Sequence, residues 1–178
     1  AYSQELENRM GRDDKLMRSI RSMARTATPR RLVFSEGDSL NTIKAAIHLL
    51  SDGIATPILI GSRSKIHALL DEHKLSLDDK YILDFRSDEE EPRRQRYATL
   101  LYSKMSRKGI NHAEALKYMM QRDWFTLMMV ASGDADTSLL GFGHSYIQSL
   151  EPVRQVFGLQ PSNRLATMQI VTTKRGPM

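Results

Sequence analysis

Cysteine is absent from the chain, which excludes disulfides, thiolate zinc sites and a cysteine nucleophile. Long apolar runs are absent too. None approaches the roughly 20 residues that span a bilayer, so no membrane partner is expected, and a cytoplasmic location is predicted. Aromatic residues make up only 7% of the sequence, and neither glycine-rich phosphate signature, GxGxxG or GxxxxGK[ST], occurs. With 178 residues the chain can still bury a real core without staples, as one domain or one and a part.

A formal net charge of +5 points to nucleic acid until it is located. Residues 1–31 hold eight Lys/Arg against four Asp/Glu, and the other 147 residues hold 18 against 17. A nearly neutral body behind a basic leader lacks the clustered basic face of a DNA- or RNA-binding domain, so no nucleic-acid partner is expected. The leader is not a transit peptide, because Glu5, Glu7, Asp13 and Asp14 interrupt its arginines.

The spacing predicts two short leader helices. Leu6 and Met10 lie four apart, Gly11 interrupts, and Asp13 opens a second helix with the stripe Leu16, Met17, Ile20 and Met23. Beyond TATPRR, RLVFSEGD reads as a strand ending in a glycine turn and 39–51 as a helix with Gly53 as its left-handed cap. ATPILIG is a strand, SRSKIHALLDEHK an amphipathic helix, and YILDF a further strand. The acidic run 88–91 before Pro92 marks a helix start, and the helix RRQRYATLLYSKMSRK ends at Gly109. Asn111 with Glu114 caps HAEALKYMMQR, and TLMMVAS reads as a buried strand. Strands separated by such helices imply the α/β class, a three-layer α/β/α arrangement around a parallel sheet. The tract ATMQIVTTKRGPM reads as a strand and the turn of an unfinished hairpin. The natural protein is therefore expected to begin before Ala1 and continue past Met178.

Chemistry is expected where a glycine-rich loop joins a strand's carboxyl end to a helix, because backbone N–H groups and the helix dipole converge there. GFGHSYIQ fits, with Gly141, Gly143, His144 and Ser145 as candidate contacts to an anion. Adjacent His144 and Ser145 do not make a nucleophile and base, since neighbouring loop side chains seldom face each other. Asp134 and Asp136 form a DxD that reads as a turn or cap, not as a metal site. Lys104, Arg107 and Lys108, with His112 just beyond, cluster at a helix end; the dipole accounts for them, and a phosphate-rich ligand would also use them.

RLVFSEGDSLNTIKAA, GIATPILIGSRSKI, RKGINHAEALKYM and FTLMMVASGDADTSLLG resemble the phosphate acetyltransferases, over about 31–158. The resemblance implies a two-subdomain α/β/α fold like that of isocitrate and isopropylmalate dehydrogenases, with the active site in the cleft between subdomains. It divides the chain into a connector (1–31), a first subdomain (32–160) and the truncated start of a second (161–178). YSQELENRMGRDDKLMRSI is similar to the connector of large bacterial hybrid malic enzymes, which implies an upstream NADP-dependent, divalent-metal-dependent oxidoreductase in the same chain. It further implies acetyl-CoA, or a related CoA ester, as effector. The apolar leader helices and methionine-rich elements need partner surfaces, so homo-oligomers are expected. No cofactor is expected within residues 1–178.

The sequence departs from the active pattern. Where the family carries an Arg-Pro pair that holds phosphate, Glu151 precedes Pro152, and Arg154 lies three residues further on. Ser35 stands where the family commonly has proline, Asn41 where it has arginine, and Met105 aligns with another arginine. The expectation is an inherited anion loop that binds a CoA ester without catalysing acetyl transfer, with no catalytic residue assigned. The alternative is an active phosphate acetyltransferase.

Overall fold

The computed structural model describes residues 12–141, 143, 146–158, 172–173 and 176–177. Packing divides the chain into two units, one made of residues 1–29 and 159–178, the other of 30–158. In the first unit the second leader helix is present as α1 (Arg12–Thr26). Ile20 and Met23 of its stripe are exposed. The helix expected around Leu6 and Met10 lies outside the described residues.

The second unit is built on four parallel strands, β1 (Arg30–Phe34), β2 (Ala55–Ile60), β3 (Ile82–Leu83) and β4 (Thr137–Leu139), in the order β3-β2-β1-β4. Successive side chains point to opposite faces, which produces two cores. Val33, Ile60 and Leu83 face one, and Phe34, Leu59 and Ile82 the other. Helices α2 (Leu40–Ser51) and α3 (Arg63–Glu72) close the second core with Ile43, Ala46, Ile66 and Leu70. Helices α4 (Glu91–Met105), α5 (His112–Met119), α6 (Arg122–Ala131) and α7 (Tyr146–Phe157) close the first. The result is the predicted three-layer α/β/α arrangement.

Local signals act as read. Gly109 ends the tract after α4 in the left-handed region, at φ 91°. Asn111 and Glu114 exchange two capping hydrogen bonds, each 2.9 Å.

Two strand expectations are corrected. TLMMVAS is the end of α6 and its C-cap Ser132, and Trp124, Phe125, Thr126, Leu127, Met128 and Met129 are buried in succession. A short apolar run buried on every side has no visible period, so it reads equally as a strand. YILDF is mostly not strand. Asp78 caps a 3₁₀ turn (Asp79–Tyr81) by accepting the Lys80 N–H at 3.1 Å, and Asp84 leaves the ladder to accept from the N–H groups of Arg63 and Arg86. Back in the first unit, β5 (Thr172–Thr173) and β6 (Gly176–Pro177) pair antiparallel. The returning strand thus begins at Gly176, inside the tract read as a turn.

The α4 start depends on Arg94, whose side chain is only 6% exposed. It donates to the Phe85 carbonyl at 2.6 Å, the Ser87 carbonyl at 2.7 Å and the Glu91 carboxylate. The acidic run therefore supplies a helix start and a partner for a buried cation. Arg94→Ala leaves the Phe85 carbonyl without its donor and the Ser87 carbonyl with the Glu90 N–H alone, and is expected to lower stability by roughly 1–3 kcal/mol in urea unfolding. Glu91→Gln, on the solvent side, should cost far less.

Candidate functional site

The chain leaves β1 for β2 on one side, while β4 lies on the other, so the loops after β1 and β4 part at the carboxyl edge of the sheet. Open α/β sheets bind ligands at such a switch point. Three contacts fix it here. The Ser35 N–H donates to the Leu139 carbonyl at 3.1 Å, extending the β1–β4 ladder by one bond. The Gly143 N–H donates to Glu36 Oε1 at 2.7 Å. Asp38 accepts two hydrogen bonds from the Arg122 guanidinium, at 2.6 and 2.9 Å. This fork holds the Asp38 carboxyl below the usual carboxylate range, against the opposing effect of burial. Gly37 between them is required, because a Cβ there would lie 2.7 Å from the Leu59 Cβ.

Beside this crevice, the α5–α6 turn and α7 enclose a cavity of about 440 Å³. Arg122, Gln121 and Trp124 line one side, and Gln148, Glu151 and Pro152 the other. Tyr118, also in the wall, stacks on Trp124 at 4.2 Å between ring centroids. Among the described lining residues Arg122 is the only cation, and Asp38 already takes its charge. Two carboxylates, Asp123 and Glu151, share the wall, so the cavity favours neutral, hydrogen-bonding groups over a compact dianion.

A family model described as phosphate acetyl/butaryl transferase matches residues 15–178. The chain belongs to this family. It is 32% identical over 161 residues to an NADP-dependent malic enzyme of Salmonella typhimurium, covering 89% of this chain and 21% of that protein. It is 28% identical over 144 residues to a phosphate acetyltransferase of Synechocystis, covering 81% and 20%. In structure it matches the EutD phosphotransacetylase of Staphylococcus aureus with a TM-score of 0.72 at 19% identity, over 84% of this chain and 45% of that one. The chain thus spans about a fifth of the length of these curated relatives.

In this member of the family the predicted contacts do not form one cluster. Gly141, at φ 95°, and Gly143 stand in the loop after β4, and Ser149 Oγ lies 3.3 Å from where a Cβ on Gly141 would be. His144 and Ser145 lie outside the described residues. Lys104, Arg107 and Lys108 are exposed at and beyond the end of α4 and form no part of the cavity wall. Arg154 is exposed on α7, whereas Glu151, three residues earlier, lines the cavity. Met105, aligned with a family arginine, is a core residue at 3% exposure. Asn41 is exposed in the first turn of α2. Glu36, Asp38 and Arg122 were not among the predicted contacts. The available signal was position: Glu36 and Asp38 directly follow a strand's carboxyl end.

The DxD joins elements together. Asp136 accepts from the Arg31 backbone N–H at 2.8 Å and from its guanidinium, which holds the Asp136 carboxyl down at about 2. Asp134 takes the Arg96 guanidinium and the Tyr97 hydroxyl. Among the described residues no group of three or more His, Asp or Glu is placed to hold a metal.

Burial, aided by the bond to Asp134, pushes the Tyr97 phenol up to about 12. Since the folded value exceeds the unfolded one, this contribution is complete below about pH 10 and is lost as pH rises towards 12. Tyr97→Phe is expected to flatten the decline of the urea midpoint across that alkaline window. An equally steep decline in the variant would refute the assignment.

Proposed function

We propose that the chain is the phosphotransacetylase-like regulatory and oligomerisation region of an NADP-dependent malic enzyme, and that it binds acetyl-CoA or a related CoA ester without transferring its acetyl group. The observation that carries this reading is Glu151 in the cavity wall, opposite an arginine already neutralised by Asp38. A phosphate acetyltransferase must hold a phosphate dianion, and this wall offers it a carboxylate. The malic-enzyme relatives, of which this chain matches about a fifth, support the assignment to a larger oxidoreductase. Malate oxidation, with its NADP and divalent metal, belongs to that larger protein; no dinucleotide fingerprint occurs in residues 1–178.

In the full-length protein, acetyl-CoA is expected to change the rate of malate oxidation, and removal of this region to abolish the response. An unchanged response after removal overturns the reading.

The second reading, an active phosphate acetyltransferase, draws on the family match itself. It requires coenzyme-A-dependent arsenolysis of acetyl phosphate by the full-length protein, and we expect none. Glu151→Arg exchanges repulsion for attraction, worth about 1 kcal/mol per charge at 4 Å in water and more in a drier site. It should therefore raise affinity for inorganic phosphate about tenfold or more in calorimetry.

A further inference from the structure

Gly141 and Gly143 follow β4 at the carboxyl edge of the sheet, where open α/β sheets bind anions, yet the amide of Gly143 is already engaged. Its partner is Glu36 Oε1, at 2.7 Å. Glu36 is presented by a rigid turn. Ser35 before it is fully buried and bonded to Leu139, Gly37 after it donates to the Ile60 carbonyl at 2.9 Å with no room for a side chain, and Asp38 is forked by Arg122. Gly143 is fitted closely to this carboxylate, since a Cβ there would lie 3.0 Å from Oε1. Near the same crevice two buried hydroxyls, Ser149 Oγ beside Gly141 and Ser35 Oγ, have no hydrogen-bond partner.

We propose that Glu36 is an internal counter-anion that occupies the glycine loop, so that a phosphate group reaches the Gly143 amide only by displacing it. A carboxylate on a backbone N–H makes the same kind of charge-assisted bond that a phosphate oxygen makes. Both cannot hold one donor at full strength, and two anions in contact repel. The loop is thereby closed to compact phosphates in the resting state. A ligand anchored elsewhere by further contacts can still open it. This regulation rests on reading the loop as an anion site, and it is separable from the malic-enzyme assignment.

The test is hydrogen exchange by mass spectrometry on the full-length protein at fixed pH, read on the peptide containing Gly143. Inorganic phosphate at millimolar concentration is the probe. Glu36→Ala is expected to speed exchange of this amide about tenfold or more, because a hydrogen bond to a charged group is lost. Phosphate is then expected to slow exchange in Glu36→Ala while leaving the wild type unchanged. Glu36→Gln keeps an acceptor oxygen without the charge, preserves the turn, and should lie between the two.

Equal exchange in wild type and Glu36→Ala overturns the latch. Phosphate protecting both proteins alike overturns the competition, and phosphate protecting neither overturns the anion site. If the Glu36 effects appear but acetyl-CoA leaves malate oxidation unchanged, only the functional reading of the preceding section fails.

Discussion

Strand β1 is hydrogen-bonded along both edges, to β2 and to β4, and its two faces feed separate cores. Val33 and Phe34 are therefore committed to packing, and the polar chemistry of this segment starts at Ser35. The following four residues answer constraints from three directions. Ser35 continues the ladder to β4, Gly37 yields to the close approach of β2, and Asp38 turns to Arg122 at the start of α6. A cation in the first turn of a helix opposes the macrodipole, so Arg122 is poorly placed alone. The Asp38 fork compensates, and its negative charge also suits the helix terminus. The site geometry thus follows from how β1 is buried.

Much of this was legible because the signals are local. Helices α2, α3 and α4 bury one stripe each, so Ile43, Ile66 and Tyr97 recur with their neighbours at helical spacing, and glycines and caps mark their ends. Strands β1 and β2 are short apolar runs between such helices, which suffices for a parallel sheet. The failures came where tertiary burial erases the period. In α6, six consecutive buried residues remove the polar face that would have identified a helix. In β3, aspartates on either side redirect the backbone into turns, a preference visible in composition only once their partners are known.

The candidate site was legible in place and less so in membership. Gly141 and Gly143 lie at the switch point, as a glycine loop after a strand should. The basic residues at the end of α4 were grouped with them by chemical type alone, and type carries no information about which wall a side chain joins. Asp38 and Arg122 are 84 residues apart, and no local pattern couples them. The DxD motif illustrates the converse. Its two carboxylates are only two positions apart in sequence but divide between Arg31 on one side and Arg96 with Tyr97 on the other.

The glycine loop is often taken as a sign of a bound anion, but here packing alone accounts for it. Gly141 occupies the left-handed region, where a side chain is strained, and Gly143 is pressed against Glu36. These two glycines therefore do not by themselves report a bound anion, and the charges near them bear on what can bind. Those charges are a neutralised arginine, Asp123 and Glu151 in the cavity, with Glu36 on the loop. A small dianion meets repulsion from both places. In the proposed reading, a CoA ester, whose phosphates lie at one end, would meet this wall of glutamines and aromatic rings with its uncharged arm. The arrangement thus disfavours a compact dianion and suits neutral, hydrogen-bonding groups, the asymmetry on which the proposed CoA-ester binding draws.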